Sequence, residues 1–251
     1  MKTMKKSALT LSVLAAALAM GPQAHAVTIT GGIGLLTTAG GTQLETWLGE
    51  GSLALTSIFS HEVGDGKTSF NFHTAADGQG RTFAIMEVLS VNGVAANEII
   101  GGYNPQSWNS SGLFNMTPNF ADRTAAIFNL TDLVWRPQDT VPAGVFETYN
   151  LEGPTFGGGF DIYVHRSLSL GYVNPISYGG SVGVSIIGDT GSQSLEYGRM
   201  EVFTIAAASA SNVPDGGNMA MMLGGGLVCL VAAGRRKPTS LNESKEEASL
   251  S

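Results

Sequence analysis

Two stretches decide how this chain reads: Gly101-Gly102-Tyr103-Asn104-Pro105-Gln106-Ser107-Trp108-Asn109-Ser110-Ser111-Gly112 and Gly153-Pro154-Thr155-Phe156-Gly157-Gly158-Gly159-Phe160-Asp161-Ile162-Tyr163-Val164. Both are too specific in order and residue type to be generic loop composition. The run Gly157 to Gly159 lacks the Gly-Lys-Ser/Thr ending of a phosphate loop and leads into a strand, so it reads as a tight turn with close backbone approach. Tyr103 and Trp108 carry two readings, core packing or a platform for a sugar ring.

Working outward, strand-like runs separated by turn residues cover Leu53 to Phe59, Thr82 to Leu89, Glu98 to Tyr103, Ala125 to Leu130, Asp161 to His165, Val182 to Ile187 and Arg199 to Ile205. Their alternation and β-branching favour an antiparallel sheet packed against another sheet or against helices. Two short helices are expected. Thr42-Gln43-Leu44-Glu45 forms a capping box that starts one, with Leu44, Trp47 and Leu48 on one face and Gly49 as its stop. The other starts at Thr68, buries Phe70 and stops at Asp77-Gly78.

These motifs resemble the TLDc domain of the eukaryotic oxidation-resistance proteins. The resemblance runs from about Thr42 to Ile205 and also includes Leu55 to Phe59, Asp65-Gly66, Phe72-His73 before Asp77 to Gly80, and the closing Glu201-Val202-Phe203. It implies an α+β, mainly β fold: a two-sheet antiparallel β-sandwich flanked by short helices. The loop from Trp135 to Thr148 and the linker from Leu168 to Gly180 depart from the family pattern. In eukaryotes the family is linked to protection against oxidative stress and to the V-type proton pump, a cytosolic partner that an exported chain does not meet.

Export is read from the ends. Lys2, Lys5 and Lys6, an apolar run from Ala8 to Met20, and Ala24-His25-Ala26 form a secretory leader cut after Ala26 by signal peptidase. At the other end, Val213-Pro214-Asp215-Gly216-Gly217, the apolar run Met219 to Gly234 and the basic cluster Arg235-Arg236-Lys237 resemble a PEP-CTERM sorting signal in its Val-Pro-Asp variant, which implies an exosortase-type transpeptidase as processing partner. The blander reading is a plain membrane anchor. The expected organisation is a leader over 1–26, an N-terminal segment over 27–41, a TLDc-like domain over 42–206, a linker over 207–212, the sorting signal over 213–237 and a polar tail over 238–251.

Between the signals, six basic residues stand against 16 acidic ones from Val27 to Asn212, a net charge of −10, which argues against a nucleic-acid partner. The only cysteine, Cys229, sits in the C-terminal apolar run, so the body has no thiol chemistry of its own. His61, His73 and His165 show no metal-ligand spacing, and no cofactor or metal is expected. Ser107 has no identifiable base, and the sequons at Asn109, Asn115 and Asn129 read as coincidental. Asp161 and Glu201 are the acidic residues to watch as an acid–base pair. The alternative roles are backbone satisfaction of the glycine turn for Asp161 and a solvated strand face for Glu201. The favoured function is a non-enzymatic interaction module of the cell envelope or surface, contacting an envelope protein or polysaccharide. The alternatives are an envelope hydrolase or peroxide-handling enzyme, and a carbohydrate-binding module associated with exopolysaccharide.

Overall fold

The structure, a computed structural model, describes residues 27–111, 115–117, 119–138, 146–147, 152–178 and 183–208. The leader with Ala24 and Ala26, the sorting signal from Val213 to Lys237 and the tail from Pro238 to Ser251 lie outside the described residues.

In chain order the elements are β1 (Thr28–Thr30), α1 (Thr38–Leu48), β2 (Leu53–His61), α2 (Ser69–Ala76), β3 (Thr82–Val91), β4 (Val94–Asn104), β5 (Ala126–Asn129), β6 (Val134–Pro137), β7 (Phe146–Glu147), β8 (Thr155–Phe156), β9 (Tyr163–Val164), β10 (Leu170–Val173) and β11 (Gln193–Ala207). The large sheet runs β1-β2-β11-β3-β4-β5-β6, with β10 joining β11 to β9, and β7 pairs with β8 separately. All pairs are antiparallel except β1 with β2, which is parallel. The class is therefore α+β and mainly β, a sandwich-type packing with two short helices.

The last strand organises everything else. Along one side β11 keeps β3 as its partner, while along the other it pairs with β10 through Gln193–Glu196 and with β2 through Met200–Ala207. Register shifts at Glu196/Tyr197 and Tyr197/Met200 fall at the change of partner. Bulges bend a strand and increase its twist, so the wing of β9 and β10 leaves the line of β2 there.

Both faces of the sheet centre are buried. Phe83 and Ile85 of β3 pack with Leu35, Leu36, Leu44 and Phe203, whereas Ala84, Met86 and Val88 pack with Phe72, Trp108, Phe156, Val164 and Val173. This gives β3 an unbroken buried run from Thr82 to Met86, the pattern of a strand covered on two sides.

The helices correct two expectations. The N-cap of α1 is Thr37, whose side chain accepts from the Gly40 N–H at 3.1 Å, so Thr42 lies inside the helix. Glycine costs about 1 kcal/mol in a helix interior relative to alanine, which is why propensity alone starts this helix after Gly41. Packing overrides it: a Cβ on Gly41 would stand 3.0 Å from Val27 Cγ1, so the helix sits against the chain leading into β1. Glu45, freed from the capping box, accepts from the Leu53 N–H at 2.6 Å, and Gly49 ends the helix at φ 70°. In α2 the expected Thr68 cap and the stop at Asp77 hold, but Phe70 is 71% exposed and Phe72 is buried. The buried stripe is Ser69, Phe72, His73 and Ala76, a 3–4 spacing that leaves Phe70 off the face.

Among the strands, Asp161 to His165 contracts to β9, and the expected strand at Val182 to Ile187 is replaced over its described residues by an isolated bridge between Val184 and Thr190.

Candidate functional site

The quoted motifs turn out to seat rings. Gly101 and Gly102 are consecutive on β4, so their missing side chains face opposite sides of the sheet. A Cβ on Gly101 would lie 2.5 Å from Phe128 Cζ, and one on Gly102 would lie 2.6 Å from Phe156 Cε1. Trp108 is buried, donates its Nε1–H to Thr82 Oγ1 at 2.8 Å, and meets Phe72 and Phe156 edge-on with centroids 5.2 and 5.4 Å away. Tyr103 is buried as well, tilted against Phe83 at 5.5 Å. Neither ring can take a sugar, so the platform reading fails at these two residues. Ser107 is a turn tie, its Oγ accepting from the Gly80 N–H at 2.9 Å.

In the second motif the Gly153 N–H donates to Val164 O at 2.7 Å, and Pro154, Thr155 and Phe156 are buried. The tight turn is present: Gly157 has φ +94°, Phe160 N–H closes onto Gly157 O at 3.1 Å, and the Gly158 N–H donates to Ser177 Oγ at 3.0 Å. Gly159 lets Ile176 pack against the backbone, since a Cβ there would stand 3.0 Å from Ile176 Cβ.

The two acidic candidates are both buried and both spent on backbone. Asp161 Oδ1 accepts from the N–H groups of Ile176, Ser177 and Tyr178 at 2.9, 2.8 and 3.1 Å. Its donors thus come from the 176–178 segment, while the glycine turn takes its bond from Ser177. Burial pushes the Asp161 carboxyl above its ordinary range despite the Ser177, Ile176 and Tyr178 donors. Glu201 is fully buried, contrary to the solvated-face expectation, because β11 is central and covered on both sides. It accepts from the N–H groups of Ile33, Gly34 (3.2 Å) and Leu36 (2.7 Å), fastening the 33–36 segment onto the sheet. By alternation Glu201 shares a face with Phe203 and Ile205 of one core, while Asp161 adjoins Ile162 and Tyr178 of the other. Each carboxylate is engaged by backbone N–H groups of its own segment, 33–36 for Glu201 and 176–178 for Asp161.

Histidine chemistry was under-read from sequence. His61 Nδ1 and Asp65 Oδ1 are 2.8 Å apart, as are His73 Nδ1 and Asp77 Oδ1; the four-residue spacing of both pairs was visible in the chain. Asp77 Oδ2 also accepts from the Ser110 hydroxyl at 2.6 Å and its N–H at 2.9 Å, and His73 Nε2 faces Glu152 O at 3.1 Å. The carboxylate stands between serine and imidazole, so the histidine has no hydroxyl to activate. Burial acts to raise the Asp77 carboxyl, but the Ser110 and His73 bonds outweigh it and hold it below its ordinary range. His165 Nδ1 pairs locally with Ser167 Oγ at 3.1 Å. Among the described residues no three His, Cys, Asp or Glu side chains cluster to hold a metal. Asn129 is fully buried, with Nδ2 donating to Glu98 and Oδ1 accepting from the Thr131 N–H, so its sequon is closed to modification in the folded domain.

One arrangement was missed altogether. Tyr163 and Tyr172 are register partners on β9 and β10, half-exposed and stacked at 4.8 Å, with Phe160 edge-on to them at 5.3 and 5.9 Å. The period-two signal was there, because each tyrosine precedes a buried valine, Val164 or Val173. The Tyr163 hydroxyl donates to Glu152 Oε2 at 2.6 Å, and burial with that bond pushes the phenol up, keeping it protonated.

The domain is mainly β, and its signature glycines seat aromatic rings on both faces of one sheet. The family model of the TLDc domain matches residues 35–206, and the chain belongs to the TLDc domain family. The match begins at Leu35, ahead of Thr42, in keeping with the earlier start of α1. No curated protein matches the chain.

Proposed function

We propose that this protein is an exported, envelope- or surface-associated TLDc-domain protein that acts as a non-enzymatic interaction module, linked to protection against oxidants. The observation that carries the reading is the fate of the chemically capable side chains in the family motifs. Asp161, Glu201, Ser107 and Asp77 all have their acceptor atoms occupied by N–H or O–H donors of the fold. Each of these groups holds a loop in place, and a carboxylate saturated with backbone donors is a poor proton acceptor for a substrate. Protection against oxidants then comes through a partner, since the lone Cys229 stands outside the domain. The leader and the Val213 to Lys237 signal support delivery to the envelope with processing by signal peptidase and an exosortase-type enzyme.

The test is direct. Purified protein, assayed for metal content and incubated with hydrogen peroxide and with glycoside, peptide and ester substrates, shows no turnover above buffer. Reproducible turnover that Asp161→Asn abolishes while the circular dichroism spectrum is unchanged overturns the reading.

A further inference from the structure

We infer that the outer face of the β9–β10 wing is a binding site for a neutral, hydroxyl-rich glycan chain. This rests on the interaction-module reading and gives that module a ligand class and a place. The site begins as a cleft of about 520 Å³ between the β3–β4 turn and β10, lined among others by Ser90, Asn92, Gly93, Leu170, Ser194 and Glu196. Its wall is fixed: Asn92 and Gly93 hold left-handed φ values of 51° and 77°, and Asn92 Oδ1 accepts from the Ser194 N–H at 3.0 Å. The donor end of that amide is what a ligand can use.

Ser90 supplies the observation that points to a ligand. It is 7% exposed, and its Oγ is buried without a hydrogen-bond partner among the described residues. An unpaired buried hydroxyl costs stability, and a group bound in the cleft would give this one its partner.

The cleft continues into the aromatic row. Tyr172 is the register partner of Ser194 and lies two residues from Leu170, so it projects from the same face of the sheet as these cleft residues. Tyr163 and Phe160 extend the row beyond it. A pyranose has an apolar C–H face and a rim of hydroxyls, and it needs a ring to lie on beside small donors and acceptors; the row offers the first, and Ser90, Asn92, Ser194 and Glu196 the second. Charge narrows the class. Among the described residues Glu196 is the one charged side chain lining the cleft; Glu152 holds the Tyr163 hydroxyl, with Arg166 as the opposing charge near that tyrosine, and the body carries −10, so acidic polymers are repelled.

The experiment is affinity electrophoresis of the full-length chain in gels containing hydroxyethyl cellulose, laminarin, dextran or the acidic polymer alginate, with dissociation constants from titration calorimetry. At least one neutral glycan retards the protein and alginate does not. Tyr172→Ala weakens binding about tenfold or more. Ser90→Ala weakens it about three- to tenfold while leaving Tm unchanged or raised, which a structural role for the hydroxyl would not do. Phe70→Ala, which removes an exposed ring on α2, changes nothing. Absence of retardation by every neutral glycan, retardation by alginate alone, or unchanged binding in both site variants overturns the site. New reducing ends in the same incubations would instead overturn the non-enzymatic reading and leave the site standing.

Discussion

Replacing Glu201 by alanine removes the fastening between β11 and the 33–36 segment, and its effect can be worked from the bonds. A hydrogen bond to a charged acceptor contributes about 1.5–3 kcal/mol, most where the donor has no water to turn to. Leu36 N–H is such a donor at 2.7 Å within a buried residue, Ile33 is half-buried, and Gly34 is exposed and rehydrates at little cost. Counting the first fully, the second partly and the third hardly at all gives a loss of about 3–5 kcal/mol. For a domain of this size that lowers Tm by about 10 °C. Glu201→Gln is the sharper variant: it keeps the length and one acceptor but turns an NH₂ toward a backbone N–H, so it falls between parent and alanine. Urea unfolding followed by tryptophan fluorescence reads both. A midpoint shift worth less than about 1 kcal/mol for Glu201→Ala would refute the claim that this carboxylate holds the segment down.

Three other outcomes follow from the same geometry. Gly102→Ala pushes a methyl into the Phe156 ring and lowers stability by about 1–3 kcal/mol in the same urea assay, the clash outweighing the gain from reduced freedom of the unfolded chain. The Asp77 carboxyl is depressed in the folded state from an ordinary value of 3.8, so the stability it contributes is present above that pH and is lost as pH falls through the lower folded value. Asp77→Asn therefore costs stability at pH 7 and flattens the acid limb of a stability-against-pH curve; an unchanged acid limb contradicts the assignment. Outside the described residues, Pro214→Ala combined with Asp215→Ala leaves the body attached through Met219 to Gly234, and C-terminal masses from the native host that match the parent sink the sorting proposal.

What the chain disclosed and what it withheld divide along a physical line. Local alternation and turn chemistry marked β2 to β5 and the second part of β11, because those signals live within a few residues. The start of α1 was displaced because Gly40 and Gly41 are poor helix formers in isolation and become acceptable only through packing, Gly40 against Leu130 and Gly41 against Val27, both distant in sequence. Glu201 looked solvated because a single glutamate in a strand ordinarily is; its burial depends on β11 becoming the centre of the sheet, a fact of topology. Trp108 and Tyr103 read either as core or as a sugar platform, and the core reading holds because Gly101 and Gly102 leave room for rings on both faces. The half-buried stacked pair, Tyr163 and Tyr172, sits in strands of two and four residues, too short for their alternation to stand out.

The position of β11 also bears on how such a chain comes to be folded. A chain emerging in order from its N-terminus can zip β3 to β4 and β4 to β5 early, since each is a neighbour in sequence. It cannot join β2 to β3, because the strand between them begins only at Gln193. Until then the edge of β3 away from β4 lacks its neighbour, and the pairing that completes it spans more than a hundred residues, the kind of contact that makes folding slow. Under the proposed export this delay would serve secretion: a polypeptide whose closing strand comes last stays loose while its earlier strands pass.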